Sequence, residues 1–264
     1  MLPAAEQFHY QMQGIHVDVA GTPAAILEAQ ALRHQVFCLE RGIFTAEAGQ
    51  TSESDEFDAR SRHVVIRDTT AGAVVATARV VAGSSAAKGL SLPMQRFCSP
   101  AIFHQLPMDT VGEISRFAIS KQFRTGVSAS GPLIRLALLK GILRVSGDMG
   151  LTHWCALMEP TLLRLLAATG VHFAPLGPMV DAYGRRQPSI AAITFALAQG
   201  RRQKPDYYFM VSDTLPYGPP RQERAPSEAP SHMSLLASAS AAAAAEAERG
   251  QRSAQNRDRS RLRC

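Results

Sequence analysis

Cysteine, tryptophan and paired histidines are scarce in this chain of 264 residues. The cysteines are only four, widely separated and without a CxxC pair, at Cys38, Cys98, Cys155 and Cys264. This spacing argues against a disulfide framework and against a zinc site, and it predicts isolated thiols in a reduced compartment. The eight histidines form no HExxH or HxH pair, so no metal is expected.

Long apolar runs and targeting signals are missing as well. No run is long enough to span a bilayer, and the first ten residues, MLPAAEQFHY, lack the basic start and apolar core of a secretory signal. A cytoplasmic location is therefore expected. With 46% hydrophobic and 19% charged residues, the chain has enough apolar side chains for a full core.

The net charge of +6 is split between two unlike parts of the chain. Residues 1–214 carry +3, and residues 215–264, which are rich in Pro, Ala and Arg, carry the other +3. This composition predicts one domain over 1–214 followed by a disordered tail over 215–264. Because half of the charge comes from the tail, it does not indicate nucleic acid binding, although the tail arginines are compatible with weak contact to a membrane surface.

Strand and helix patterns alternate along the first 214 residues. Strands are predicted at 15–20, 63–67, 74–81, 111–119 and 153–158, helices at 23–39, 131–146 and 160–169, and edge strands at 171–175, 179–183, 190–195 and 207–211. The order predicts a mixed sheet with helices on its faces, α/β in the broad sense.

The predicted strand 111–119, VGEISRFAI, places Glu113 and Arg116 inside an apolar run. Buried charges are costly unless they are paired, so both residues need an explanation. Strand alternation puts Glu113 on one face with Ser115, Phe117 and Ile119, and Arg116 on the other face unless a bulge intervenes.

Further charged residues recur at positions where burial is predicted. Arg33 lies on the apolar face of the first helix, and Arg79 lies within a strand. The acidic loop 42–62 adds three candidate partners, Glu53, Asp55 and Asp58. A structural ion pair explains any one of these residues equally well. As a set, their burial would cost much free energy if they had only a structural role. They therefore indicate a functional site whose groups have shifted pKa values.

Other chemistries fit these residues less well. The segment 55–58 lacks the glycine and the distal glutamate of a calcium loop. Ser115 is not part of a GxSxG nucleophile elbow. Gly126, before the helix at 131, is compatible with a phosphate-binding turn, but the glycine spacing is a weak signal.

Taken together, the charged motifs resemble those of the acyl-homoserine-lactone synthases and the N-acyl amino acid synthases, two groups with a GNAT-like acyltransferase fold. Their pattern is an LRxxVF helix, an ExDxxD motif, an arginine on a strand and an ExSRF strand. This chain matches it at residues 32–37, 53–58, 79 and 113–117. The resemblance implies a single GNAT-like domain with a mostly antiparallel, twisted sheet flanked by helices.

Two departures from the pattern bear on the substrates. The lactone synthases carry a tryptophan between the helix and the acidic motif, whereas this chain has LERGIF at 39–44 and its only tryptophan is Trp154. The segment from Arg124 to Gly126 has one glycine fewer than the pyrophosphate loop of acetyl-CoA enzymes. We therefore expect an N-acyl amino acid synthase whose donor is an acyl carrier protein rather than acyl-CoA, with Arg124 and Gly126 as donor-binding candidates.

The resemblance implies transfer of a fatty acyl group from an acyl-phosphopantetheine thioester to a small-molecule amine, with no tightly bound cofactor. Glu113 is the candidate base, and the backbone around Phe117 and Ile119 is the candidate oxyanion donor. Substrate-binding candidates are Arg33, Phe37, Asp55, Asp58, Arg79 and Arg116; the three arginines would either hold the acceptor carboxylate or fix the acidic loop.

Two further sets of residues are suggested for the donor. An apolar slot for the acyl chain would be lined by Phe117, Leu136, Trp154, Leu157 and Leu162, which ordinary core packing explains as well. A patch for an acidic carrier protein would comprise Arg124, Arg135, Lys140 and Arg144, although a solvated helix face explains the last three equally well.

Three alternative functions remain open from the sequence. The first is an acyl-homoserine-lactone synthase, and the second is an acetyl-CoA-dependent N-acetyltransferase. The third, from another class, is a non-catalytic acyl-binding module that keeps the fold.

Overall fold

The structure is a computed structural model that describes residues 9–12, 14–124 and 131–212. Its strands are β1 His9–Met12, β2 Ile15–Val19, β3 Ser61–Asp68, β4 Val74–Ala82, β5 Val111–Ile119, β6 His153–Met158, β7 Ala174–Pro175, β8 Val180–Asp181 and β9 Arg185–Ala192. Its helices are α1 Pro23–His34, α2 Lys121–Arg124, α3 Gly131–Asp148, α4 Pro160–Ala168, α5 Ile193–Gln203 and α6 Pro205–Ser212. The predicted tail, 215–264, lies outside the described residues.

The strands form one mostly antiparallel sheet in the order β1-β2-β3-β4-β5-β6-β9-β7, with β8 pairing with β9. The predicted mixed sheet flanked by helices is confirmed. Only the central neighbours β5 and β6 run parallel among the pairs described. They pair over residues 111–113 of β5 and 153–155 of β6, while both strands continue for several residues beyond. The two strands therefore separate and leave a gap in the middle of the sheet.

Helices cover both faces of the sheet. α3 packs its apolar side on β2, β3 and β4, and Gly141 allows this approach because a Cβ there would lie 2.3 Å from Val64 Cγ1. α1 lies on the other face, where Leu32 packs with Val36 and Phe37. Thr22 begins α1 as its N-cap, accepting the Ala25 N–H at 3.2 Å, and Pro23 occupies the first turn.

Several predicted elements end differently in the structure. The helix predicted over 23–39 stays α-helical to His34 and continues as a π-helical turn, Gln35–Glu40. The edge strand predicted at 190–195 is wrong in its second half, because β9 ends at Ala192 and α5 begins at Ile193. The strand predicted at 207–211 is wrong, since these residues belong to α6. Within the described ranges, no helix combines the length and apolarity needed to cross a membrane.

Candidate active site

A cavity of about 540 Å³ occupies the gap where β5 and β6 separate. One half, on the α3 side of the sheet, is apolar and is lined by Ile114, Phe117, Leu139, Ile142, Trp154, Leu166, Val171 and Phe173. We call the other half the polar half, and its lining includes Arg41, Phe44, Met94, Phe97, Glu113, Arg116, Glu159, Tyr183 and Arg186. The cavity thus joins an apolar compartment to one that holds titratable groups.

A β-bulge in β5 decides which side chains face each half. Ser115 pairs with Arg79 of β4 and Ala118 pairs with Thr77, so two β5 residues stand opposite Ala78. Arg116, the first of the two, has a φ of 52°, which is unusual for a residue with a side chain. The extra residue shifts the alternation by one position.

The bulge overturns the predicted distribution of the strand's side chains. Phe117 and Ile119 pack with Ile114 in the α3-side core, on the face opposite the one predicted. Arg116 instead shares the ion-pair network with Arg79, the cross-strand partner of Ser115. Glu113 and Arg116 therefore do not face opposite sides as simple alternation predicted, because the bulge brings both to the polar half of the cavity.

The predicted arginines and the acidic loop meet in one network of three guanidinium groups and three carboxylates. Arg33 donates to Glu53 at 2.6 Å and to both oxygens of Asp58 at 2.7 and 2.8 Å. Arg79 donates to Asp55 at 2.5 Å and to Asp58 at 2.9 Å. Arg116 closes the set on Glu53 at 2.8 Å and on Asp55 at 3.0 Å. Three positive and three negative charges balance, so the network, which we call the ion cluster, is neutral.

The position of the ion cluster favours the second of the two roles predicted for its arginines, which is to fix the acidic loop. Arg33 and Arg79 are fully buried, and neither they nor Asp55 and Asp58 line the cavity. The N–H groups of the two arginines already donate to carboxylates of the acidic loop. The geometry therefore does not favour the predicted contact of these residues with a substrate. They fix the loop instead. Arg116 is the exception, because it also lines the cavity and lies 5.0 Å from the Phe44 ring centroid.

The stability of the ion cluster depends on pH through its own carboxylates and through His63. Burial alone would raise the pKa of Asp58, but hydrogen bonds from Arg33 and the charges of Arg33 and Arg79 hold it well below its usual range. Burial and the charge of Arg33 lower the pKa of His63 from 6.5 to about 4. His63 Nε2 lies 3.6 Å from Asp58 Oδ1, and neither ring nitrogen has a hydrogen-bond partner within the described residues.

His63 should make the protein less stable in mild acid. Its lowered pKa means that the unfolded chain takes up a proton first, so its contribution to stability is complete above pH 6.5 and is lost as the pH falls toward 4. We expect His63→Gln to reduce the fall in the free energy of unfolding between pH 7 and pH 4 by up to roughly 3 kcal/mol. Urea unfolding at both pH values measures the difference. The exposed His104→Gln should leave the slope unchanged, and equal slopes for wild type and His63→Gln would contradict the assignment.

Glu113 is buried at the wall of the polar half. Burial raises its pKa to about 8, against the opposing influence of the Met94 N–H and of Arg79 and Arg116. The Met94 N–H donates to Glu113 Oε2 at 2.8 Å and fixes that oxygen. With this pKa the side chain is mostly protonated at neutral pH and becomes a carboxylate in mild alkali. A group that exchanges a proton in this range is suited to acid–base work.

The neighbouring thiols are not candidates for nucleophiles. Burial raises the pKa of Cys98 to about 12 and that of Cys155 well above its usual value, and the charge of Glu113 adds to both effects. Cys38, Cys98 and Cys155 are free and buried. Across the described residues, no group of three or more His, Cys, Asp or Glu side chains is placed to hold a metal ion.

The remaining predicted residues lie in several different places. Phe37, Phe117, Ile119, Trp154, Leu157 and Leu162 line the cavity. Leu136 does not; it lies beside a separate small cavity in the core. In the predicted basic patch, Lys140 is fully buried and cannot be part of a docking surface, whereas Arg135 lines the cavity and Arg144 pairs with Asp148. Gly126 and the side chain of Arg124 lie outside the described residues.

One group of side chains in the polar half of the cavity was not predicted from the sequence. Arg41 and Arg186 both pair with Glu159, at 2.7 and 3.2 Å. Phe44 and Phe97 contact the Tyr183 ring from two sides, with centroids 4.8 and 5.5 Å away. These residues come from distant segments with no shared motif. The one local signal is Tyr183-Gly184, a pair suited to a tight hairpin turn, and both residues have positive φ, at 58° and 97°.

Comparison with known proteins agrees with the fold described above. The family model described as acetyltransferase (GNAT) domain matches residues 32–131, the segment that carries the four motifs. No curated protein sequence gives a significant match.

Several solved structures share the fold. The acyl-homoserine-lactone synthase LasI has a TM-score of 0.54 and 16% identity, and the match covers 80% of this chain and 98% of LasI. BjaI, a CoA-dependent lactone synthase solved with SAM and isopentyl-CoA, has a TM-score of 0.52 and 22% identity, with 71% of this chain and 82% of BjaI covered. FeeM, an N-acyl amino acid synthase from uncultured soil microbes, has a TM-score of 0.50 and 12% identity, with 70% and 93% covered.

The resemblance predicted from the motifs is thereby confirmed at the level of domain and fold. Sequence identities this low show a shared fold. They do not show that this chain uses the substrates of those proteins. The chain therefore has a GNAT-like fold, with a match to the acetyltransferase (GNAT) domain over residues 32–131.

Proposed function

We propose that the protein is an N-acyltransferase that moves a fatty acyl group from an acyl carrier protein thioester to the amine of an amino acid or a related small molecule. The observation that supports this best is one cavity between β5 and β6 that joins an apolar half to a half containing Glu113. Acyl transfer from a long-chain donor needs an apolar compartment and a base at its end.

Glu113 is the proposed base. Its carboxylate removes a proton from the acceptor ammonium, and the resulting amine attacks the thioester carbonyl carbon. The tetrahedral oxyanion collapses and the carbon–sulfur bond breaks. Of the two protons that the nitrogen loses in becoming an amide, one passes to the departing phosphopantetheine thiolate and the other is released to solvent. The products are an amide and a free thiol, and no oxidant or reductant is needed.

The oxyanion would be stabilised by backbone N–H groups around Phe117 and Ile119. The bulge and the divergence from β6 leave this part of β5 beside the cavity rather than inside a continuous ladder. N–H groups that are held in place before the reaction stabilise a developing negative charge without reorganisation. Glu113, Phe117 and Ile119 all line this cavity along the same strand.

The donor is proposed to be a long-chain thioester. An acetyl group would leave most of the apolar half empty, whereas a fatty acyl chain fills it against Phe117, Trp154 and Leu166. The preference for a carrier protein over CoA depends on the sequence of residues 124–131. A lactone synthase is the second candidate, favoured by the likeness in fold to LasI and BjaI.

Incubation with palmitoyl acyl carrier protein and an amino acid pool tests the proposal. We expect mass spectrometry to detect an N-palmitoyl amino acid and the free thiol in equal amounts. Palmitoyl-CoA should react more slowly, and acetyl-CoA should not react. A lactone formed with S-adenosylmethionine would support the second candidate instead, and turnover of acetyl-CoA alone would contradict the long-chain assignment.

A further inference from the structure

Two arginines and one glutamate meet at the polar half of the cavity without belonging to the ion cluster. Arg41 follows the π-helical turn, Glu159 precedes α4, and Arg186 lies on β9. Arg41 Nη2 donates to Glu159 Oε1 at 2.7 Å, and Arg186 Nη2 lies 3.2 Å from the same oxygen. All three side chains line the cavity that also contains Glu113.

The charges of this group do not balance. Arg116, the other guanidinium in the polar half, is matched by Glu53 and Asp55, whereas Arg41 and Arg186 share the single carboxylate of Glu159. One positive charge is therefore left over. Burial alone would raise the pKa of Glu159, but both arginines outweigh this and lower it, so the group keeps its net charge of +1 at neutral pH.

The arginines are held in place while donors remain for a ligand. Arg186 is oriented by its Nε donating to the Ala182 carbonyl at 2.7 Å and by the contact with Glu159. Arg41 uses one of its five N–H donors on Glu159, and its side chain remains about a third exposed. A carboxylate is the group that two adjacent guanidinium forks bind best, because each can offer parallel N–H donors.

We infer that Arg41 and Arg186 are the residues that bind the carboxylate of the proposed amino acid acceptor while its amine is presented to Glu113. The inference rests on the proposed function and identifies the specificity-determining residues of the same site. It replaces Arg33 and Arg79 as the carboxylate-binding residues, because those two are enclosed in a neutral cluster away from the cavity.

A phosphate of the donor is the other anion that such a pair could bind. The position favours the acceptor, since Arg41 and Arg186 share the polar half with Glu113, whereas α3 begins at the other half of the cavity, after the segment predicted to hold the donor phosphate. The two sources differ in a measurable way. Loss of an acceptor contact raises KM for the amine, and loss of a donor contact raises KM for the thioester.

Steady-state kinetics with each L-amino acid and its α-carboxamide tests the inference. The carboxamide keeps the amine and removes the charge, so the wild-type protein should prefer the acid by about 100-fold in kcat/KM. Arg41→Met should remove most of this preference, mainly by raising KM for the acid, and it should not raise KM for palmitoyl acyl carrier protein. Arg41→Lys should restore part of the preference.

Arg164→Met provides the matched control. Arg164 is an exposed residue of α4 that does not line the cavity. Arg164→Met therefore removes the same charge without weakening the binding of either substrate. Equal rates for the acids and the carboxamides in the wild type would overturn the inference. A rise in KM for the thioester alone in Arg41→Met would also overturn it and assign the pair to the donor.

Calorimetric titration separates failure of this inference from failure of the proposed function. If no amine is acylated, the proposed function is wrong, and binding then decides about the carboxylate site. Binding of L-amino acids to the wild type but not to Arg41→Met would support the site. Absence of binding to both proteins would overturn it.

Discussion

Replacing Glu113 with glutamine is expected to lower acyl transfer by about 10²- to 10⁴-fold while the protein stays folded. Glutamine has nearly the same shape and keeps an oxygen for the Met94 N–H, but it cannot accept a proton from the amine. Turnover of palmitoyl acyl carrier protein, followed as release of the free thiol, measures the loss. Glu56→Gln, an exposed carboxylate of the acidic loop, is the control and should retain full activity.

The pH profile provides a second readout for Glu113. The wild-type kcat/KM should rise as the pH passes through about 8, because only the carboxylate form accepts the proton. Glu113→Gln should lose this step. A variant with unchanged turnover, or one whose residual activity keeps the step, would remove Glu113 from the role of base.

Stability should respond in the opposite direction from activity. The raised pKa of Glu113 means that its contribution to stability is complete below pH 4.5 and is lost as the pH rises toward and through 8. By pH 9 the cost of the buried carboxylate reaches roughly 5 kcal/mol at most, which Glu113→Gln avoids. The variant should therefore unfold at higher urea than the wild type at pH 9, and at similar urea at pH 4.5.

Removal of Arg33 is expected to cost the largest amount of stability, about 3–5 kcal/mol for Arg33→Met. Methionine fills much of the same volume, but Glu53 and Asp58 each lose a buried partner and keep their charge. The free energy of unfolding in urea at pH 7 measures the effect. Arg96→Met, which removes an exposed pair with Glu56, should cost no more than about 1 kcal/mol.

A double variant tests whether the ion cluster acts as a unit. Because Arg33→Met leaves Asp58 short of a partner, adding Asp58→Asn should cost less than the sum of the two single changes. Strict additivity, or a cost for Arg33→Met as small as that for Arg96→Met, would contradict the description of the cluster as one buried network.

Local sequence patterns predicted most of the central elements. The boundaries of β5 and β6 follow directly from β-branched and apolar runs, and Thr22-Pro23 marks the start of α1 through its capping chemistry. The strand predictions for segments 190–195 and 207–211 were wrong, in part or in whole, for a physical reason. Short apolar runs suit a buried strand and a buried helix equally well, and tertiary packing decides between them.

The candidate site was predictable in its residues but not in its geometry. Charge inside apolar segments identified Arg33, Arg79, Glu113 and Arg116, because buried charges need partners wherever they occur. The bulge at Arg116 could not be predicted, since alternation assumes a regular strand. In the structure, Arg116 combines a positive φ with ion pairs to Glu53 and Asp55. Arg41 and Glu159 are 118 positions apart, so only the folded chain brings them together.

A crystal structure with a non-hydrolysable palmitoyl-pantetheine analogue tests the central claim most directly. We expect the acyl chain to lie in the apolar half, against Phe117 and Trp154, and the carbonyl group to lie in the gap between β5 and β6 beside Glu113. An analogue bound elsewhere on the protein, with the gap between the two strands left empty, would contradict the assignment of this cavity as the site of acyl transfer.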